Sequence, residues 1–61
     1  MINRIKERRE ELGITQQELA DKIGVSLSWI RKIENHKVKP SIQLMVRVSV
    51  ALDCRVDDLF F

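Results

Sequence analysis

The chain has 61 residues, 44% of them apolar, with 11 basic and 9 acidic side chains and a net charge of +2 at pH 7. That length predicts one domain over 1–61, with a small core and marginal stability of its own. The single cysteine, Cys54, excludes a disulfide within the chain, and apolar runs of three residues or fewer exclude a membrane-spanning helix.

Ile5 and Leu12, with the stems of Arg8 and Arg9, recur at helical spacing and predict a first helix over 2–12, with Gly13 as a left-handed cap. Thr15-Gln16-Gln17-Glu18 is a capping box: the Thr15 hydroxyl can accept from the Glu18 amide, and the Glu18 carboxylate from the Thr15 amide. It starts a second helix with an apolar stripe of Leu19, Ala20 and Ile23, ended by Gly24. Ser26 caps a third helix, in which Ile30 and Ile33 face inward behind Val25 and which ends near Asn35. His36 and Lys37 fall in the next turn, and Pro40-Ser41 signals a fourth helix over 42–52. Its predicted stripe is Ile42, Met45, Val48, Ser49 and Leu52, and a short fifth helix follows over 56–60. No segment alternates at period two, and Gly and Pro fall only at boundaries. The expected architecture is all-α, a compact five-helix bundle.

The segment 15–35 meets the needs of a helix-turn-helix. Ala20 is small where the second and third helices cross, and Gly24 tolerates positive φ in the turn. Leu19, Ile23, Val25, Ile30 and Ile33 can lock the two helices at a steep angle. At about 100° per residue, Ile30 and Ile33 share the core side of the third helix, Ser28 and Asn35 point away, and Arg31 and Lys32 flank them. A rod of that width, polar and basic on its free side, fits the major groove of B-DNA. Charge follows the same division: residues 26–39 sum to +3 and residues 53–61 to −2. A basic middle and an acidic end give one surface for a polyanion and one turned away from it.

The pieces RIKERREELGITQQELADKIGVS, IRKIEN, KPS, AL and VDDLF cover nearly the whole chain. In them the sequence resembles the lambda-repressor-like helix-turn-helix domains, the XRE or Cro/C1 type. The resemblance implies that Gln16 lies against the DNA backbone and that Leu27, Ser28 and Lys32 read bases. It implies a phosphate contact at Asn35, with charge added by Lys37 and Lys39. It pairs Arg9 with Glu34 as a structural ion pair between the first helix and the end of the third. Gln17, Trp29 and Arg31 complete the expected DNA-binding set. Leu27 can touch a thymine methyl but cannot donate a hydrogen bond. His36 stands where many relatives carry glycine, which predicts a strained or differently shaped turn.

Some residues keep two readings. Arg31 can grip guanine or phosphate. Trp29, roughly 70° from the core centre, can be a boundary core residue or can stack and touch the backbone. Cys54 reads as a buried structural thiol, with a redox sensor as the alternative. His36 has no metal-ligand partner at the right spacing, so no metal and no cofactor are expected. Catalysis is not expected either, for there is no nucleophile with a base and an orienter, and Asp57-Asp58 are explained as carboxylates near a helix start.

One such domain covers little DNA, and two-fold dimers overcome this by spacing their recognition helices about 34–36 Å apart. Leu44, Val46 and Val50, not needed for the core stripe, with Phe60 and Phe61 at the end, predict a dimerisation surface around 42–61. The functional expectation is a cytoplasmic, sequence-specific transcriptional regulator. It would act as a repressor, binding a short palindrome on double-stranded DNA as a homodimer, without membrane association. The alternative is an antitoxin-like or adaptor module that uses the same helices to hold a protein.

Overall fold

The computed structural model describes residues 3–60. Its helices are α1 (Ile5–Glu11), α2 (Gln16–Ile23), α3 (Leu27–Glu34), α4 (Ile42–Ala51) and α5 (Val56–Leu59). Among the described residues the β-type pairing amounts to an isolated antiparallel bridge between Asn3 and Phe60. The architecture is the all-α bundle expected.

Local chemistry sets most boundaries. Gly13 adopts φ +69° just past α1. The Thr15–Glu18 capping box forms in both directions, at 3.0 Å for the amide of Glu18 on the Thr15 hydroxyl and 2.9 Å for the amide of Thr15 on the Glu18 carboxylate. Gly24 closes α2 at φ +73°. Ser26 and Ser41 accept from the backbone of Trp29 and Leu44 and so cap α3 and α4. The turn after α3 is carried by His36 at φ +60°, a left-handed position for a residue with a side chain. There the structure takes the geometry that a glycine would adopt more cheaply.

The core gathers Ile5, Leu19, Ala20, Ile23, Ile30, Ile33, Met45, Val48, Leu52, Leu59 and Phe60. Val25, Trp29 and Cys54 pack against it, half-buried. Burial raises the Cys54 thiol pKa, and nearby Arg8 offsets part of that.

Four expectations need correction. The first helix begins at Ile5 rather than at residue 2, which lies outside the described residues. Asn3 replaces that turn, its side-chain oxygen accepting from the amide of Ile5 at 3.1 Å. Leu12, expected on the apolar side of the first helix, is its C-cap and is exposed. Ile42 is not on the core stripe of α4 but 77% exposed. Steps of three residues drift by about 60° per step, so a stripe drawn from Ile42 leaves the face that Met45, Val48 and Leu52 define. Phe60 is not on the surface: the chain turns extended after α5, pairs with Asn3, and buries the ring in the core. It therefore drops out of the expected dimer surface, and Phe61 lies outside the described residues. Leu44 is half-buried, which leaves Val46 and Val50 as the exposed members.

Candidate nucleic-acid interface

Helix α3 owes its position to what lies beneath it. Ile30 and Ile33 are fully buried, α2 and α3 pack directly on each other, and Leu19, Ala20 and Ile23 of α2 belong to the same core. With that side fixed, Ser28, Arg31 and Lys32 are exposed on the other, and Asn35 is exposed at the C-cap. Lys37 and Lys39 are exposed on the segment that follows. These six exposed side chains, four of them cationic, lie within the twelve residues from 28 to 39, on α3 and just after it. On the same helix Leu27 and Trp29 are half-buried, and Trp29 packs against the core, in keeping with a boundary role.

Gln16 and Gln17 open α2 but differ in setting. The half-buried Gln16 amide donates to Oε1 of Glu34 at 3.2 Å. Gln17 is exposed and donates to Asp21 one turn along, at 2.9 Å. Gln16 is thus tied to the end of α3, and Gln17 to its own helix.

At the end of α3 lies a buried ion pair. Arg9 Nε donates to Glu34 Oε2 at 2.8 Å and Arg9 Nη2 to Glu34 Oε1 at 3.2 Å, a two-pronged contact. Arg9 Nη1 donates to the Ile14 carbonyl at 2.9 Å. With Gln16 added, the Glu34 carboxylate accepts three hydrogen bonds. The bond to Glu34 raises the Arg9 pKa above its already high ordinary value, so the charge persists at any working pH. Among the described residues no buried side-chain nitrogen or oxygen lacks a partner. The pair fixes α1 against the C-terminal turn of α3 at the base of the exposed face.

Three supporting residues have no clear signature in the sequence. The buried Asn3 amide donates to the Ile33 carbonyl at 2.8 Å, satisfying a group at the end of α3. Arg8 donates to the carbonyls of Leu52 and Asp53, at 2.9 and 3.0 Å, and so closes the C-terminal end of α4. Arg47 donates to the Ile23 carbonyl and does the same for α2. In each case a side chain distant in sequence makes the cap, from α1 for Arg8, from α4 for Arg47 and from the segment before α1 for Asn3, so the residues around each helix end do not announce it. Asn3, two residues ahead of α1, is the one with a local cue, since asparagine often accepts from a nearby amide.

The helix-turn-helix family matches this chain over residues 5–59. A protein of Archaeoglobus fulgidus, described as an uncharacterized HTH-type transcriptional regulator, is 40% identical over 60 residues, 98% of this chain and 86% of that one. The transcriptional regulator SinR of Bacillus subtilis is 46% identical over 57 residues, 92% of this chain but 51% of SinR. A crystal structure of SinR in complex with DNA is similar at a TM-score of 0.81 and 45% identity, over 88% of this chain and 87% of that one. The restriction-modification controller protein C.AhdI of Aeromonas hydrophila has a TM-score of 0.88 at 28% identity, over 93% of this chain and 86% of that one.

Proposed function

The chain belongs to the helix-turn-helix family, and from that premise we propose that it is a DNA-binding transcriptional regulator, a repressor that occupies a short palindrome as a homodimer. One observation carries the reading. Helix α3 is fully buried along Ile30 and Ile33 and bears Ser28, Arg31 and Lys32 exposed on its outer side. A helix so mounted can enter the major groove, where side-chain donors distinguish base pairs. Ser28 and Lys32 are the base-reading pair, with Leu27 available to a thymine methyl. Gln16, Asn35, Lys37 and Lys39 are the backbone contacts, and Arg31 serves either role. Relatives named as transcriptional regulators, and a similar domain solved on DNA, support the same reading. Such a regulator acts where the DNA is, which in archaea and bacteria is the cytoplasm.

Selection of binding sites from random duplexes tests it. The expected outcome is a symmetric consensus, bound with an affinity that falls steeply as salt rises. Lys32→Ala should change which bases are preferred at a defined position in each half-site. Recovery of no consensus, or a Lys32→Ala variant with unaltered preference and affinity, would overturn the docking.

A further inference from the structure

Helix α3 ends in a Schellman motif that contains no glycine. The amide of Lys37 donates to the Lys32 carbonyl at 2.9 Å, and the amide of His36 to the Ile33 carbonyl at 3.0 Å. His36 takes the left-handed place in the motif, at φ +60°. A left-handed residue with a side chain persists where its surroundings hold it. Here Asn3 supplies that hold.

Asn3 is 6% exposed, and two bonds fix its side-chain amide. Oδ1 accepts from the Ile5 amide at 3.1 Å, and Nδ2 donates to the Ile33 carbonyl at 2.8 Å. The backbone around it is pinned by the bridge to Phe60 and by the Arg4 amide on the Leu59 carbonyl, at 2.9 Å. Nδ2 is thereby set 3.5 Å from His36 Nδ1, with its second hydrogen available to that nitrogen. Asn3 thus reaches both the carbonyl that closes the turn and the ring of the residue that makes it.

We propose that Asn3 and His36 are positioning residues for DNA, which hold the turn after α3 in the form that presents Asn35 and Lys37 to the phosphate backbone. The inference rests on the DNA-binding reading above and adds two residues that act through their neighbours. Asn35 and Lys37, both exposed, flank His36 directly, so the backbone at 36 sets their relative direction. A turn fixed before DNA arrives needs no ordering on binding. The end of α4 repeats the motif and supplies a control. There Asp53 is left-handed at φ +51°, the Cys54 amide donates to the Ser49 carbonyl at 3.0 Å, and the Asp53 amide donates to the Val50 carbonyl at 3.1 Å.

Duplex titrations of the full chain, at a temperature where each variant is folded, test the role. His36→Gly permits the left-handed backbone but frees it. It should weaken binding to specific and unrelated duplexes alike, by about two- to fivefold per bound protomer, the worth of the freedom that one glycine adds. The salt slope should stay unchanged, because the phosphate contacts still form. His36→Asn should restore affinity: asparagine tolerates positive φ, and its Oδ1 stands where the histidine Nδ1 stood, able to accept from Asn3. Asn3→Ala should lose affinity as His36→Gly does, whereas Asp53→Gly should not weaken binding. The loss from His36→Gly should vanish in an Asn35→Ala, Lys37→Ala background, where nothing is left to position. A loss that persists there would overturn the positioning role. A folded Asn3→Ala protein with wild-type affinity would remove Asn3 from it. Salt-sensitive binding that is indifferent to His36→Gly would overturn this inference alone, whereas a wild-type chain without salt-sensitive binding to any duplex would overturn the DNA-binding reading beneath it.

Discussion

Arg9 and Glu34 are the residues on which the proposed interface depends without being part of it. Neither is placed to meet DNA, yet their two-pronged bond joins α1 to the last turn of α3, and Gln16 adds the start of α2. Taking two charges out of water is costly, and here the cost is offset because the bonding groups of both are satisfied. Removing one partner leaves the other uncompensated. Arg9→Met and Glu34→Met should each lower stability by about 3–5 kcal/mol. The double variant should recover much of that loss, because an apolar pair of similar volume carries no stranded charge. Urea unfolding of all four proteins closes the cycle; single variants that cost less than 1 kcal/mol, roughly the value of an exposed pair, would show that the charges are solvated. The pairing was legible as a resemblance between sequences. The third acceptor bond, from Gln16, was not, because nothing in the order of residues brings position 16 to position 34.

At the scale of the elements, the sequence was most legible where the structure is decided by a few adjacent residues. Thr15, Ser26 and Ser41 cap helices as their hydroxyls predict, and Gly13 and Gly24 take the left-handed conformations that glycine allows. It was least legible where a distant residue decides. The ring of Phe60 is buried through a bridge to Asn3, and the ends of α2 and α4 are closed by Arg47 and Arg8. Ile42 looked like core because three-residue spacing follows a helical face for only a turn or two.

The α2 start carries two predictions. Thr15→Ala removes the acceptor for the Glu18 amide and should cost about 1 kcal/mol, read by urea unfolding. The backbone and side-chain bonds from Thr15 hold the Glu18 pKa below the ordinary carboxylate range. A carboxylate whose folded pKa is depressed contributes stability above its unfolded pKa and loses that contribution as pH falls through the folded value. The wild-type melting temperature should therefore fall more steeply below the ordinary Glu pKa than that of Glu18→Gln, the two curves converging in acid. Parallel curves across that range would show that the box adds no pH-linked stability. At the other end of the helix, Gly24→Ala would place a side chain at φ +73°, with its Cβ 3.4 Å from the Arg47 guanidinium. The left-handed backbone alone should cost about 1–2 kcal/mol, and the recognition helix that follows should lose affinity for DNA along with the fold.

For the whole molecule, the distribution of charge matters more than the small net value, and it yields a measurement that reports binding and stoichiometry together. Four positive side chains, Arg31, Lys32, Lys37 and Lys39, lie on and just after α3, while the acids Asp53, Asp57 and Asp58 lie near the C-terminal end of the chain. Each phosphate neutralised releases condensed counterions, so the logarithm of affinity falls with the logarithm of salt by about 0.9 per contact. Lys37 is exposed two residues past the α3 C-cap and lies outside the helix proposed to read bases. Lys37→Ala should weaken binding to specific and unrelated duplexes by the same factor, leaving the ranking of sites unchanged. The size of the slope change then counts protomers. One protein per duplex loses one contact, a change of about 0.9, whereas a two-fold dimer loses two, a change of about 1.8. Anisotropy titrations of wild type and Lys37→Ala across a salt series, on a palindrome and on its isolated half-site, separate the cases. The proposal predicts the larger change on the palindrome and the smaller on the half-site. An unchanged slope on both would remove Lys37 from the interface, and equal small changes on both would mean that the protein meets its operator one copy at a time.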